Sequence, residues 1–210
     1  MKRTFIAIMM LAGWMQTACA QHTIESIRKT YQENWEVINM MSDNFPSDGI
    51  PPEYYHVHVV QNLPATGGHQ ENVRYYYGEL ESDEDVIYPP HYLKFVTSKY
   101  NFAAREFYEE YLYDNKGHLM FVYARTPDMD FPKMHEIRLY YDGKKLLRLQ
   151  VKEATDLESL DDKAIKKATF KEVYTGTKIP SQYAPFIKQY TSRAERFLEV
   201  FKSIDNNTYL

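Results

Sequence analysis

Cysteine is almost missing from this chain: Cys19 is the only one in 210 residues. No disulfide can form within the chain, and no cysteine-rich metal site can be built. Long apolar runs are missing too. The longest, from Phe5 through Trp14, covers about ten residues, whereas a membrane-spanning helix needs about twenty. Basic charge is in short supply, with 25 Lys and Arg against 29 Asp and Glu and a net charge of −4. Nucleic acid is therefore not an expected partner, because phosphate contact needs a basic stripe. The sequence also lacks a G-x-S-x-G elbow, a phosphate-binding loop and a calcium-loop spacing. No cofactor is expected.

What the chain does have begins at its N-terminus. Lys2 and Arg3 precede the apolar run, and Ala18-Cys19-Ala20 precedes Gln21. This is the order of a secretory signal: a basic start, a short apolar segment and a small-x-small cleavage site. Residues 1–20 are expected to be a signal peptide, and residues 21–210 a single exported domain of the periplasm or cell surface. Cleavage after Ala20 would remove Cys19 and leave a net charge near −6. Cys19 also permits lipidation, the one route to a membrane here, although Gln16 stands where lipoprotein signals usually carry Leu.

Hydrophobic periodicity divides the rest. From Thr23 to Met41, Ile24, Ile27, Tyr31, Trp35, Ile38 and Met41 recur at helical spacing, with Thr23 as N-cap and Glu25 in the first turn. Asn44 through Pro52 breaks this helix. Between Tyr54 and Lys152 the period becomes two, and strands are expected at 54–62, 72–81, 92–100, 104–114, 118–126, 134–142 and 145–152. Asp142-Gly143 and Asp114-Asn115-Lys116-Gly117 read as hairpin turns, so neighbouring strands should run antiparallel. A short helix is expected over Leu157–Ala168. Thr169–Thr175 fits helix or strand, and Pro180–Ile204 is a long amphipathic helix that Asp205-Asn206-Asn207 should end.

This order predicts an α+β fold: an antiparallel meander of about seven strands packed against N-terminal and C-terminal helices. The two helices are expected side by side on one face. The other face should be wet and carry part of the 19 tyrosines.

Three patterns could carry chemistry. His56 and His58 alternate along a strand, so both imidazoles share a face and could bind a metal if the fold supplied a third ligand such as His69, His91 or His135. Glu79, Glu81, Asp83, Glu84 and Asp85 form an acidic stretch that reads as a solvated loop. Glu106 and Glu110 share a face with Tyr108 between them, while Glu109 shares the other with Arg105. Paired carboxylates held about 5–10 Å apart perform acid–base catalysis in glycoside hydrolysis, and cross-strand charge pairing produces the same pattern. Tyr75, Tyr77, Tyr108 and Tyr111 are candidates to line a ligand or protein surface, since interfaces favour tyrosine.

The segments Glu109-Glu-Tyr-Leu-Tyr-Asp-Asn-Lys-Gly-His-Leu-Met-Phe-Val-Tyr123 and Glu136-Ile-Arg-Leu-Tyr-Tyr-Asp-Gly-Lys-Lys-Leu-Leu-Arg-Leu149 carry a family likeness, as does the short Met-rich signal ending in Ala-Cys-Ala-Gln. Together they resemble secreted, uncharacterised proteins of gut Bacteroidetes. The likeness covers about a third of the chain beyond the signal and implies a compartment and a meander, but no activity and no catalytic residue. Two functions are consistent with the sequence. One is a non-enzymatic module binding a small molecule, a glycan or a protein. The other is a metal-dependent or carboxylate-based hydrolase.

Overall fold

The computed structural model describes residues 22–40, 53–82, 89–128, 133–154 and 162–208. The expected signal segment with Cys19, the break at 44–52, the acidic residues Asp83, Glu84 and Asp85, and the start of the helix expected from Leu157 lie outside these residues.

Eight strands form one sheet in the order of the sequence, every neighbouring pair antiparallel. They are β1 (Tyr54–Leu63), β2 (Gly67–Glu79), β3 (His91–Phe102), β4 (Arg105–Tyr113), β5 (Leu119–Pro127), β6 (Met134–Asp142), β7 (Lys145–Ala154) and β8 (Lys171–Tyr174). The eighth is the segment whose pattern fitted helix or strand. Helices α1 (Ile24–Met40), α2 (Asp162–Lys167) and α3 (Ala184–Thr208) complete the fold. Asp142 pairs with Lys145, so the tight turn is Gly143-Lys144 rather than Asp142-Gly143. Of the two central residues only Gly143 has positive φ, at 58°, which is the type II′ arrangement with glycine first.

The helices lie on opposite faces, not side by side. Alternation along the strands, reset on β3 by a register shift opposite Tyr76 and Tyr77, sends Tyr75, Leu93, Tyr111, Val122, Leu139 and Leu149 to one face, where they pack with Tyr190, Ala194, Phe197 and Phe201 of α3. Tyr76, Phe95, Leu112, Phe121 and Tyr140 go to the other, where they meet Ile27, Tyr31, Trp35 and Ile38 of α1. The reason lies in the doublets. Tyr75-Tyr76, Leu112-Tyr113 and Tyr140-Tyr141 place apolar bulk on both faces, and each face then needs its own cover. Fully burying a ring such as Phe95 contributes about 1.5–3 kcal/mol, enough to hold a helix over each.

Local chemistry fixes the helix ends. Thr23 caps α1 as expected: its Oγ1 accepts from the Ser26 N–H (3.1 Å), while Ser26 Oγ accepts from the Thr23 N–H (3.0 Å). At the other end of the chain, α3 runs through Asp205 instead of stopping there. The Asp205 carboxylate is taken by Tyr55 Oη (2.9 Å) and His91 Nδ1 (2.7 Å), so it ties the helix to β1 and β3 and does not terminate it.

Candidate functional site

Helix α1 covers only part of its face. One hollow opens on the sheet beside it and two more lie near that one, and Lys99 of β3 lines all three. The largest, about 700 Å3, lies against Trp35 and Ile38 of α1 and is floored by Tyr54, Arg74, Tyr76 and Tyr108. Its aromatic and charged groups are interleaved: the Arg74 guanidinium lies 5.7 Å from the centre of the Tyr54 ring, which leans on Tyr76 at 5.5 Å. A second hollow of about 440 Å3 lies over Gln70, Asn72, Asn101 and Glu106. The third, about 450 Å3, sits where β4 and β5 end. These residues meet because each is an alternate position on its strand: Asn72 and Arg74 on β2, Thr97 and Lys99 on β3, Glu106, Tyr108 and Glu110 on β4.

Glu110 is the polar node of this face. It is buried, and its Oε2 accepts from Tyr31 Oη at 2.6 Å and Trp35 Nε1 at 3.3 Å, with a further hydrogen bond from Tyr108. Burial raises its pKa above the usual carboxylate range; the hydrogen bonds and the charge of Arg138 oppose that rise without cancelling it. This buried carboxyl, surrounded by donors, ties Tyr31 and Trp35 of α1 to the sheet beside the largest hollow.

Glu109 is the node of the opposite face. Its Oε2 accepts from Arg193 Nε (2.6 Å) and Tyr111 Oη (2.6 Å), and its Oε1 from Tyr100 Oη (2.8 Å). Arg193 also reaches Glu71 at 2.9 Å and lies 4.7 Å from the centre of the Tyr100 ring. Burial alone would lower the pKa of Arg193, but the Glu109 carboxylate outweighs it and holds the guanidinium charged. This network fastens α3 to the sheet.

The candidates from the sequence separate accordingly. Tyr75 and Tyr111 are sealed beneath α3, at 2% and 0% exposure, and Tyr77 stacks on Tyr55 on the same face. Tyr75 and Tyr111 are core on the α3 face, and Tyr77 packs half-buried against that core. Tyr108 lines the largest hollow beside α1, and Tyr77 lines another against α1, of about 650 Å3, with Tyr92 and Lys94. His56 lines the largest hollow, and His58, two residues further along the edge strand, is exposed. His69, His91 and His135 are held elsewhere, by Asn101, Asp205 and the Asp128–Glu153 pair. No cluster of three His, Cys, Asp or Glu suited to a metal occurs among the described residues. Glu106 is exposed and pairs with Lys99 at 3.2 Å, whereas Glu110 is buried, so the two carboxyls do not share an environment. Sequence reasoning missed Trp35, Arg74 and Lys99 as site residues. Only the strand register reveals that they converge.

The fold defines the protein as an α+β meander of eight strands clasped by one long helix on each face, with an aromatic and cationic hollow beside the N-terminal helix. Compared with known proteins, the chain matches no family model and finds no significant match among curated proteins or solved structures.

Proposed function

We propose that this is an exported, non-enzymatic binding protein whose ligand lies in the hollow beside α1. The observation that supports this reading most directly is the hollow itself. Its volume of about 700 Å3 falls in the range of small-molecule sites, and Trp35, Tyr54 and Tyr108 give it flat apolar surface between the polar groups of Asn72, Arg74 and Lys99. Aromatic floors of this kind suit sugar rings and other flat or amphipathic small molecules. Export rests on the signal pattern of residues 1–20.

The test is a thermal-shift screen of the purified protein against glycans, small organic acids, apolar ligands, divalent metals and a chelator. A ligand at a hundred times its Kd stabilises the fold by about 2.7 kcal/mol, a rise of roughly 5–10 °C for a domain of this size. One ligand class should raise Tm, and Tyr54→Ala should abolish the rise. A flat screen, or a rise indifferent to Tyr54 and Tyr108, would sink the proposal. A metal-specific rise lost in the His56→Ala, His58→Ala double variant would favour the metal-dependent reading instead.

A further inference from the structure

A sheet in unbroken sequence order has two edges, β1 and β8, and here they are built differently. β8 has four residues, Lys171–Tyr174, and starts on two charged ones, Lys171 and Glu172. Short length and charge are the usual protection of an exposed edge against pairing with another strand. β1 has neither. Its ten residues, Tyr54–Leu63, include no Lys, Arg, Asp, Glu, Pro or Gly. It pairs with β2 in continuous register from Tyr54 to Leu63, with no bulge to twist the edge away.

The outer side of β1 is open in two ways. In an antiparallel ladder, alternate residues turn their N–H and C=O away from the partner strand. From His56 to Asn62, no backbone group of another described residue outside β2 meets that outward set. The side chains are open as well. Five large apolar side chains are exposed among the described residues, and three of them, Tyr54, Val59 and Val60, lie on β1. Val59 and Val60 point to opposite faces, at 43% and 67% exposure, so neither α1 nor α3 covers the strand there.

We infer that β1 is a self-association edge: it pairs antiparallel with β1 of a second copy, about a two-fold axis, to give one continuous sheet. A row of outward N–H and C=O groups is satisfied by another extended strand, which fixes the kind of occupant. Charge and length identify it. Copies with a net charge of −4 repel each other, and an edge without carboxylates lets a second copy approach with no like charges facing across the ladder. β1 of the second copy matches all ten residues, whereas its β8 would match four and bring a carboxylate. The two-fold arrangement also closes at two copies, since both β1 edges are then used. This inference does not depend on a ligand in the hollow beside α1.

Sedimentation velocity of the purified protein over a range of concentrations tests this, together with amide exchange followed by NMR. A single strand pair is a small contact, so a reversible monomer–dimer equilibrium in the micromolar range is expected. Val59→Lys and Val60→Lys put a charge on an exposed position of the edge, and each should weaken dimerisation by about tenfold or more. In the native chain, every second amide between His56 and Asn62 should exchange more slowly as concentration rises, while the β8 amides stay unchanged. A monomer at every concentration up to about 1 mM would overturn the inference, as would a dimer indifferent to both substitutions. Dimerisation without that alternating protection would overturn it too, because the contact would then lie elsewhere. Open-ended growth past the dimer would assign the edge to head-to-tail pairing with β8 and would overturn it as well. Should a lysine variant fail to fold, the exchange pattern of the native chain still decides.

Discussion

Glu109 and Glu110 are adjacent in the chain, point to opposite faces of the sheet, and each anchors a different helix: Glu109 receives Arg193 of α3, and Glu110 receives Tyr31 and Trp35 of α1. A single step along β4 therefore couples both ends of the chain to the centre of the sheet. The two carboxyls are handled differently. The first is paired with a guanidinium, and the second has its pKa raised by burial.

Breaking the first arrangement should be costly. Removing one member of a buried ion pair leaves an uncompensated charge and typically costs about 3–5 kcal/mol. Arg193→Met is expected to lose this much in urea denaturation, and adding Glu109→Gln should restore part of it. A single-variant loss under about 0.5 kcal/mol, the range of ordinary surface substitutions, would refute the anchoring role.

The second arrangement has a pH signature. Folding raises the pKa of Glu110, so the folded state holds that proton more tightly than the unfolded chain does. Its contribution is fully present below the ordinary glutamate value of about 4.3 and is lost as pH rises through the folded value. Glu110→Gln should flatten that decline in urea midpoints measured from acid to neutral pH. A decline identical to that of the native chain would assign it to other groups.

Asp114 should behave in the opposite sense. Burial pushes its pKa up, but hydrogen bonds from the His118 N–H and imidazole, His22 and the Lys116 N–H outweigh burial and hold it low. Its contribution is therefore present above the ordinary aspartate value of about 3.9 and is lost as pH falls through the folded value. Asp114→Ala is expected to cost about 1.5–3 kcal/mol at neutral pH and much less in acid. Equal losses at both pH values would count against the carboxylate as the source.

Gly117 closes the same hairpin at φ 81°, and a Cβ there would stand 3.2 Å from Leu198 Cδ2 of α3. Gly117→Ala should destabilise by about 1–2 kcal/mol from backbone strain alone, with the crowding of Leu198 added. Thermal unfolding measures this, and an unchanged Tm would show that the turn can relax.

Much of the fold was legible in the sequence because its signals are local. The Asp-Gly and Asp-Asn-Lys-Gly turns, the alternation between them, the Thr23 cap and the three-four spacing of α1 and α3 all sit within a few residues of the structure they specify. The side each helix covers was not legible. Ile27 or Phe197 marks an apolar stripe without naming its target, and doublets such as Tyr75-Tyr76 serve either face. Tyr75 and Tyr111 looked like surface tyrosines for the same reason. The site was the least legible part. Arg74, Lys99 and Tyr108 come from three strands and meet only through cross-strand register. Asp205 misled because its carboxylate serves Tyr55 and His91, contacts from distant parts of the chain.

The unbroken order β1 to β8 also determines where the chain must search. Each strand pairs with its sequence neighbour, so most contacts in the sheet close loops of modest length at low entropic cost. The long closures are confined to the helices: Arg193 to Glu71 spans 122 residues and Tyr31 to Glu110 spans 79. The entropy of bringing distant segments together thus falls on the two ends of the chain, which close over opposite sides of a sheet that can be zipped hairpin by hairpin.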